Sequence, residues 1–153
     1  MTNLLDLTLQ IRKGFYVILK NTPRAELLKI PEGFNNNIWW NIAHVAVTQQ
    51  RLIYGLCGLE YKMPQELMVK FTKGTVPDGT ATDGEIEMVK GFLFSTIEAT
   101  IEDYENELFQ NFKEYPTSAG ITLKNLEDAM AFNLFHEGLH MGSVLALQKA
   151  VKL

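Results

Sequence analysis

Four stretches of this sequence repeat apolar side chains at intervals of three and four residues, and none alternates them convincingly in twos. That period commits the chain to helices. Leu4, Thr8, Ile11, Phe15, Ile18 and Leu19 mark helix 1 from about Thr2 to Lys20, with Thr2 as its N-cap. Thr22-Pro23 ends it and starts one short turn through Leu28, before a loop at Pro31-Glu32-Gly33. Helix 2 begins near Asn36 or Asn37, both good caps, and extends to about Leu56, where Gly55 and Gly58 mark its end. Pro64, Gly74, Pro77 and Gly79 make residues 59–81 a long crossover loop with one helical turn at 64–71. Thr82 and Glu85 then form a capping box, and Ile86, Val89, Leu93, Ile97, Ile101, Tyr104 and Leu108 line helix 3 to about residue 111. A second loop, with Pro116 and Gly120, leads to helix 4 from about Thr122 to Lys149. Any strand is confined to a short extended piece in one of the loops. The expected fold is an all-α four-helix bundle, residues 1–153 forming one domain, with its long crossover between helices 2 and 3.

Composition narrows the function. Apolar residues make up 46% of the chain and charged residues 21%, as in ordinary water-soluble domains. The net charge is −4 and no basic cluster appears, so no nucleic-acid partner is expected, because phosphates require a Lys/Arg surface. No segment approaches the run of about 18 apolar residues that spans a bilayer, so no membrane partner is expected. Met1 to Asp6 lack the basic and apolar regions of a signal peptide, and the lone Cys57 has no internal disulfide partner. A cytoplasmic location fits both. Cys57 reads as a small packed hydrophobe rather than a nucleophile, since nothing in Tyr54-Gly55-Leu56-Cys57-Gly58 would lower its pKa.

The three histidines carry the chemistry. His136-Glu137-Gly138-Leu139-His140 sets two imidazoles one turn apart on one helix face, a spacing that lets both reach a single ion. On the same helix Asn133, His136, Glu137, His140 and Ser143 fall within an arc of about 120°. That arc has no Lys or Arg and one Glu, so it resembles a cavity lining more than a wetted face. Helix 2 repeats the pattern with Asn41, His44, Thr48 and Arg51 on one side of an otherwise apolar segment. Helices so apolar around their circumference are expected to be central and buried, and buried polar groups need partners. A shared ion would satisfy His44, His136 and His140 together.

Other readings of the motif fit less well. His-Glu-x-x-His is also the zincin signature, but Gly138 sits inside it and no substrate-aligning strand is expected. Glu137-x-x-His140 matches half of a di-iron bundle site, while helix 2 offers Asn41-x-x-His44, whose amide is a poor bridging ligand. No Gly-x-Ser-x-Gly elbow supports a serine nucleophile.

Three segments give the chain a family likeness: Ile38-Trp39-Trp40-Asn41-Ile42-Ala43-His44-Val45, Phe71-Thr72-Lys73-Gly74 and Phe135-His136-Glu137-Gly138-Leu139-His140-Met141-Gly142. In this order and spacing they resemble the DinB/YfiT-like superfamily of metal-binding four-helix bundles. The resemblance implies metal ligands His44, His136 and His140, carrying zinc or nickel, with the remaining coordination positions filled by water or substrate. It implies a small-molecule substrate and a low-molecular-weight thiol such as bacillithiol or mycothiol, used in transfer or isomerisation. Metal-dependent hydrolysis is the activity ascribed to other members, and homodimers are common. Where many relatives follow the last histidine with Arg-Gly-Gln, this chain has Met141-Gly142-Ser143, so its polar contacts beside the site are its own.

The expected function is therefore that of a metal-dependent enzyme, a thiol transferase first and a hydrolase second. A non-catalytic, metal-stabilised or metal-sensing bundle is the competing class. Three neutral imidazoles plus an open position is the layout of catalytic zinc. Glu137 is a candidate proton acceptor or orienting group, with a solvated helix glutamate as the plain alternative. Asn41, Thr48 and Asn133 are candidate hydrogen-bond partners of the histidine N–H groups. Trp39 is expected to pack in the core, and Trp40 lies beside the His44 stripe.

Overall fold

Each apolar stripe becomes a helix. The computed structural model describes residues 2–152, the Thr2 side chain excepted, so the expected capping role of Thr2 lies outside the described residues. The helices are α1 (Thr2–Asn21), α2 (Arg24–Leu28), α3 (Ile38–Gln50), α4 (Gln65–Lys70), α5 (Asp83–Glu105) and α6 (Leu126–Ala150). Strands β1 (Tyr115–Pro116) and β2 (Thr122–Leu123) pair antiparallel, Tyr115 opposite Leu123, in the loop before α6. The four long helices pack in a ring: α1 lies against α5 and α6, and α3 lies against the same two. No described helix is long and apolar enough to cross a membrane.

Local chemistry sets the boundaries. Asn37 caps α3 by accepting from the Trp40 N–H at 2.8 Å. The Thr82/Glu85 box is formed in both directions at the start of α5. That helix stops at Glu105 rather than near residue 111. Glu107 adopts φ 54, its N–H bonds the Tyr104 carbonyl, and the Leu108 N–H reaches back to Asp103 at 2.9 Å. This paired closure ends the helix and leaves Leu108, expected on the stripe, 42% exposed. Likewise α6 starts at Leu126, capped by Asn125, because Thr122 and Leu123 are taken into the hairpin.

Burial differs between the two helices expected to be central. In α3 every residue except Thr48 is buried. By contrast α6 buries Ala129, Met130, Asn133, Glu137, Val144 and Leu147 but exposes Phe135, Leu139 and Leu145. Its apolar circumference is therefore split between core and surface.

The face of α1 is also turned from expectation. Leu5, Thr8, Arg12, Phe15 and Leu19 are buried, while Leu4, Ile11 and Ile18 are half-buried. Arg12 sits at the centre of the buried row because its guanidinium has an anion to meet. Its Nε and Nη2 donate to the two Glu137 carboxylate oxygens at 2.7 Å each, and Nη2 also donates to the Val45 carbonyl at 3.2 Å. Both side chains are fully buried. One fully buried ion pair thus joins α1, α6 and α3.

Breaking such a pair leaves a lone buried charge, whereas replacing both partners does not. Arg12→Met or Glu137→Gln alone should cost about 3–5 kcal/mol of unfolding free energy in urea titrations. The double replacement Arg12→Met/Glu137→Met should recover most of that loss. Single variants as stable as wild type would contradict the role assigned to the pair.

Candidate metal centre

The burial of α3 leaves its polar side chains to find partners within the protein, and those partners orient the histidines. His44 Nδ1 lies 2.7 Å from the Phe71 carbonyl just after α4. A carbonyl can only accept, so Nδ1 carries the proton and Nε2 is left unprotonated. His140 Nδ1 lies 2.7 Å from Asn41 Oδ1. The Asn41 amide nitrogen donates to Asn36 Oδ1 at 2.9 Å and to the Asn37 carbonyl at 2.8 Å, both acceptors, which fixes its oxygen toward His140. His140 is thereby set in the same tautomer, with Nε2 free.

The third histidine joins them. His136 Nε2 stands 3.1 Å from His140 Nε2, and the ring centres of His44 lie 5.2 and 4.9 Å from those of His136 and His140. One ring nitrogen from each of the three residues falls within 4.8 Å of the other two. Two nitrogens bound to one zinc at 2.0–2.1 Å stand about 3.3 Å apart in a tetrahedral shell, so the 3.1 Å pair is spaced for a shared ion. The donor set, three imidazoles with two of their second nitrogens already held by oxygen acceptors, fits a divalent metal ion. His136 differs: its buried Nδ1 has no hydrogen-bond partner among the described residues.

Electrostatics keep these rings ready to bind. Burial pushes the His136 pKa down to about 3, with repulsion from His140 and His44 adding to it. Burial likewise lowers His140 to about 4, with His44 contributing. His44 also falls below its usual 6.5, chiefly through burial, while its bond to the Phe71 carbonyl opposes the shift and Arg51 and Lys73 assist it. A metal competes with protons for imidazole, so neutral rings present their lone pairs without that competition.

Trp40 stacks on His44 with ring centres 4.4 Å apart and planes 11° apart, and its Nε1 donates to Thr75 Oγ1 at 3.0 Å. The first contact supports the imidazole from one side. The second pins the loop after α4. Trp39 packs edge-on against Phe71, with ring centres 5.3 Å apart, in the core. Cys57 is buried, which raises its thiol pKa and keeps it out of the site's chemistry.

The histidines open onto a cavity of about 620 Å³. Trp40 and Thr48 of α3 line it together with Phe132 of α6, Tyr61 of the loop before α4 and Tyr115 of β1. After Gln50 the chain makes one π turn, Arg51–Gly55, which presents Arg51, Leu52 and Gly55 to the same space. Such turns are frequent at functional sites because the extra residue re-aims side chains.

The expected polar arc on α6 turns out to have two sides. His136 and His140 face the cavity, whereas Glu137 and Asn133 face the interior. The Glu137 carboxylate accepts from Arg12 and from Asn133 Nδ2 at 2.8 Å, so it is neither a proton acceptor at the ion nor a solvated glutamate. Asn133 correspondingly orients Glu137 and not a histidine. Ser143 is exposed and donates to the Leu139 carbonyl. Asn41 does partner His140, and Thr48 Oγ1 lies 3.2 Å from His44 Nε2, on the lone-pair side rather than the N–H side.

Two contributors went unseen in the sequence. The Phe71 carbonyl is a backbone group, which no side-chain pattern announces. Arg12 did leave a signal, as a cation in the row Leu5-Thr8-Arg12-Phe15-Leu19, facing a helix with one unmatched glutamate.

Comparison with known proteins now bears on this geometry. A sequence profile described as the DinB superfamily matches residues 8–144. The chain belongs to the DinB superfamily. No curated protein matches it. The matched span contains all three histidines and both members of the Arg12–Glu137 pair, so the centre of this DinB-superfamily protein lies wholly within its family-defining region.

Because Asn41 fixes the tautomer of His140, Asn41→Ala should weaken zinc or nickel affinity by about 10–100-fold in chelator competition while leaving the helical content unchanged. Unaltered affinity would show that Asn41 serves the packing of α3 and not the site.

Proposed function

We propose that this DinB-superfamily protein holds one divalent ion, zinc or nickel, on His44, His136 and His140, and uses it to transfer a low-molecular-weight thiol. The observation that carries the reading is the position of the three imidazoles at the edge of the 620 Å³ cavity. A structural ion is closed off by four protein ligands, whereas three ligands beside open space leave a position for substrate. When bound there, the ion supplies a Lewis acid that lowers the pKa of a coordinated thiol or water.

The chain's own residues do the rest. Burial keeps the imidazoles neutral, the Phe71 carbonyl and Asn41 aim His44 and His140, and Trp40 stacks on the His44 ring. Leu52, Leu56 and Phe132 give the cavity apolar walls against which the carbon part of a thiol can pack. The thiol releases its proton to solvent, sulfur bonds to an electrophilic carbon of the acceptor, and the leaving group departs with the electrons of the broken bond.

Hydrolysis is the weaker reading for a specific reason. Among the described residues no carboxylate lines the cavity, and Glu137 is committed to Arg12. A metal-bound water would have no general base beside it, while a thiol, already more acidic than water, needs none.

The test pairs turnover with stability. In metal-reconstituted protein, His44→Ala should lower transfer of a small thiol to an electrophilic acceptor by at least about 100-fold, the upper end of what loss of a ligand's partner costs. Its Tm should stay close to that of the metal-free wild type. A non-catalytic bundle would instead show no turnover in the wild type and a large loss of Tm on metal removal, because metal binding energy is then folding energy.

A further inference from the structure

The charge around the cavity runs opposite to that of the chain. The protein carries 18 acidic and 14 basic side chains, for a net −4, yet the charged residues lining the cavity besides the histidines are Arg51, Lys73 and Lys113. They come from three separate segments: the π turn after α3, the loop after α4, and the loop before β1. None of the three lies in an ion pair among the described residues, whose carboxylates pair instead with Arg12, Arg24, Lys62, Lys70 and Lys90.

The backbone carrying these cations is tied down. Lys73 stands between the Phe71 carbonyl, bonded to His44, and Thr75, bonded to Trp40 Nε1 and to the carbonyls of Lys70 and Thr72. The Lys113 N–H donates to the Leu56 carbonyl at 2.7 Å, which draws that loop onto the end of the π turn. Gathering three like charges around one concavity costs repulsion, and low-dielectric walls focus the resulting field into the opening. A ligand with negative charge would relieve the repulsion, and a guanidinium with two ammonium groups carries eleven N–H donors suited to carboxylate or phosphate oxygens, of which Arg51 directs one to the Met68 carbonyl at 3.4 Å.

From this we infer that the cavity selects an anionic small molecule, placing its carboxylate or phosphate groups on Arg51, Lys73 and Lys113 while its reactive end meets the three histidines. The inference rests on the reading of that site as a metal centre and narrows its substrate class. Neutral and cationic molecules of the same size are disfavoured. The walls of Leu52, Leu56 and Phe132 cover the uncharged part of the ligand.

The experiment separates charge selection from thiol chemistry. Cobalt(II)-loaded protein is titrated with mercaptosuccinate and with thioglycerol, followed by thiolate–cobalt absorption. In parallel, succinate and succinamide are titrated by calorimetry. Mercaptosuccinate should bind at least about tenfold more tightly than thioglycerol. Succinate should likewise exceed succinamide, and both gaps should shrink as salt rises. In R51Q/K73Q/K113Q the gaps should close, with cobalt content unchanged. A control replacing the exposed Lys13, Lys20 and Lys124 by Gln should keep them. Equal binding of charged and neutral partners, or a preference that survives in the cavity variant, overturns the inference. If neither thiol perturbs the cobalt spectrum, the thiol reading fails by itself. The succinate pair then decides charge selection: a preference abolished in the cavity variant upholds it, and no preference sinks it.

Discussion

A helix buried on nearly every side must settle its polar groups inside the protein, and α3 has four buried ones in Asn41, His44, Gln49 and Gln50. Each unsatisfied group would cost about 1–3 kcal/mol, so their partners are part of the fold and not decoration on it. Gln49 donates to Thr100 on α5, and Gln50 joins Gln49 to the Lys62 N–H. Asn41 and His44 settle theirs with His140 and the Phe71 carbonyl. The same bonds that make α3 tolerable in the core therefore fix which histidine nitrogens face the cavity. Stability and site geometry have one cause.

The rotation of α6 follows from the other side of the molecule. Glu137 is adjacent to His136 and three residues before His140, so anchoring its carboxylate on Arg12 sets the direction of both rings toward α3. The desolvation of the ion pair is costly, and what it secures is orientation. Asn133, bonded to the same carboxylate, extends that control by one more turn. The price of turning α6 this way is an outer face on which Phe135 and Leu139 are more than half exposed.

Much of this was legible beforehand because helical period and caps are local. The Thr82/Glu85 box stands where residue type alone placed it, the cap of α3 falls on Asn37, one of the two asparagines offered for it, and the grouping of His44 with His136 and His140 followed from spacing on two unusually apolar helices. The misjudged points are those that depend on what lies opposite. Whether Glu137 faced solvent, ion or core could not be decided without α1, and its true partner Arg12 is 125 positions away. The early stop of α5 hinged on Glu107 adopting a left-handed conformation that glycine usually supplies. The cationic rim was equally hidden, since Arg51, Lys73 and Lys113 form no cluster in the sequence and meet only across loops.

Everything functional rests on three imidazole nitrogens sharing one divalent ion. X-ray absorption on protein purified without an affinity tag examines that sharing directly. The account predicts one zinc or nickel per chain, with three nitrogen scatterers of imidazole type at about 2.0–2.1 Å and a water oxygen completing the shell. Protein that stays metal-free in equimolar zinc and nickel, or an ion whose spectrum is unchanged when His44 and His140 are replaced by alanine, would contradict it.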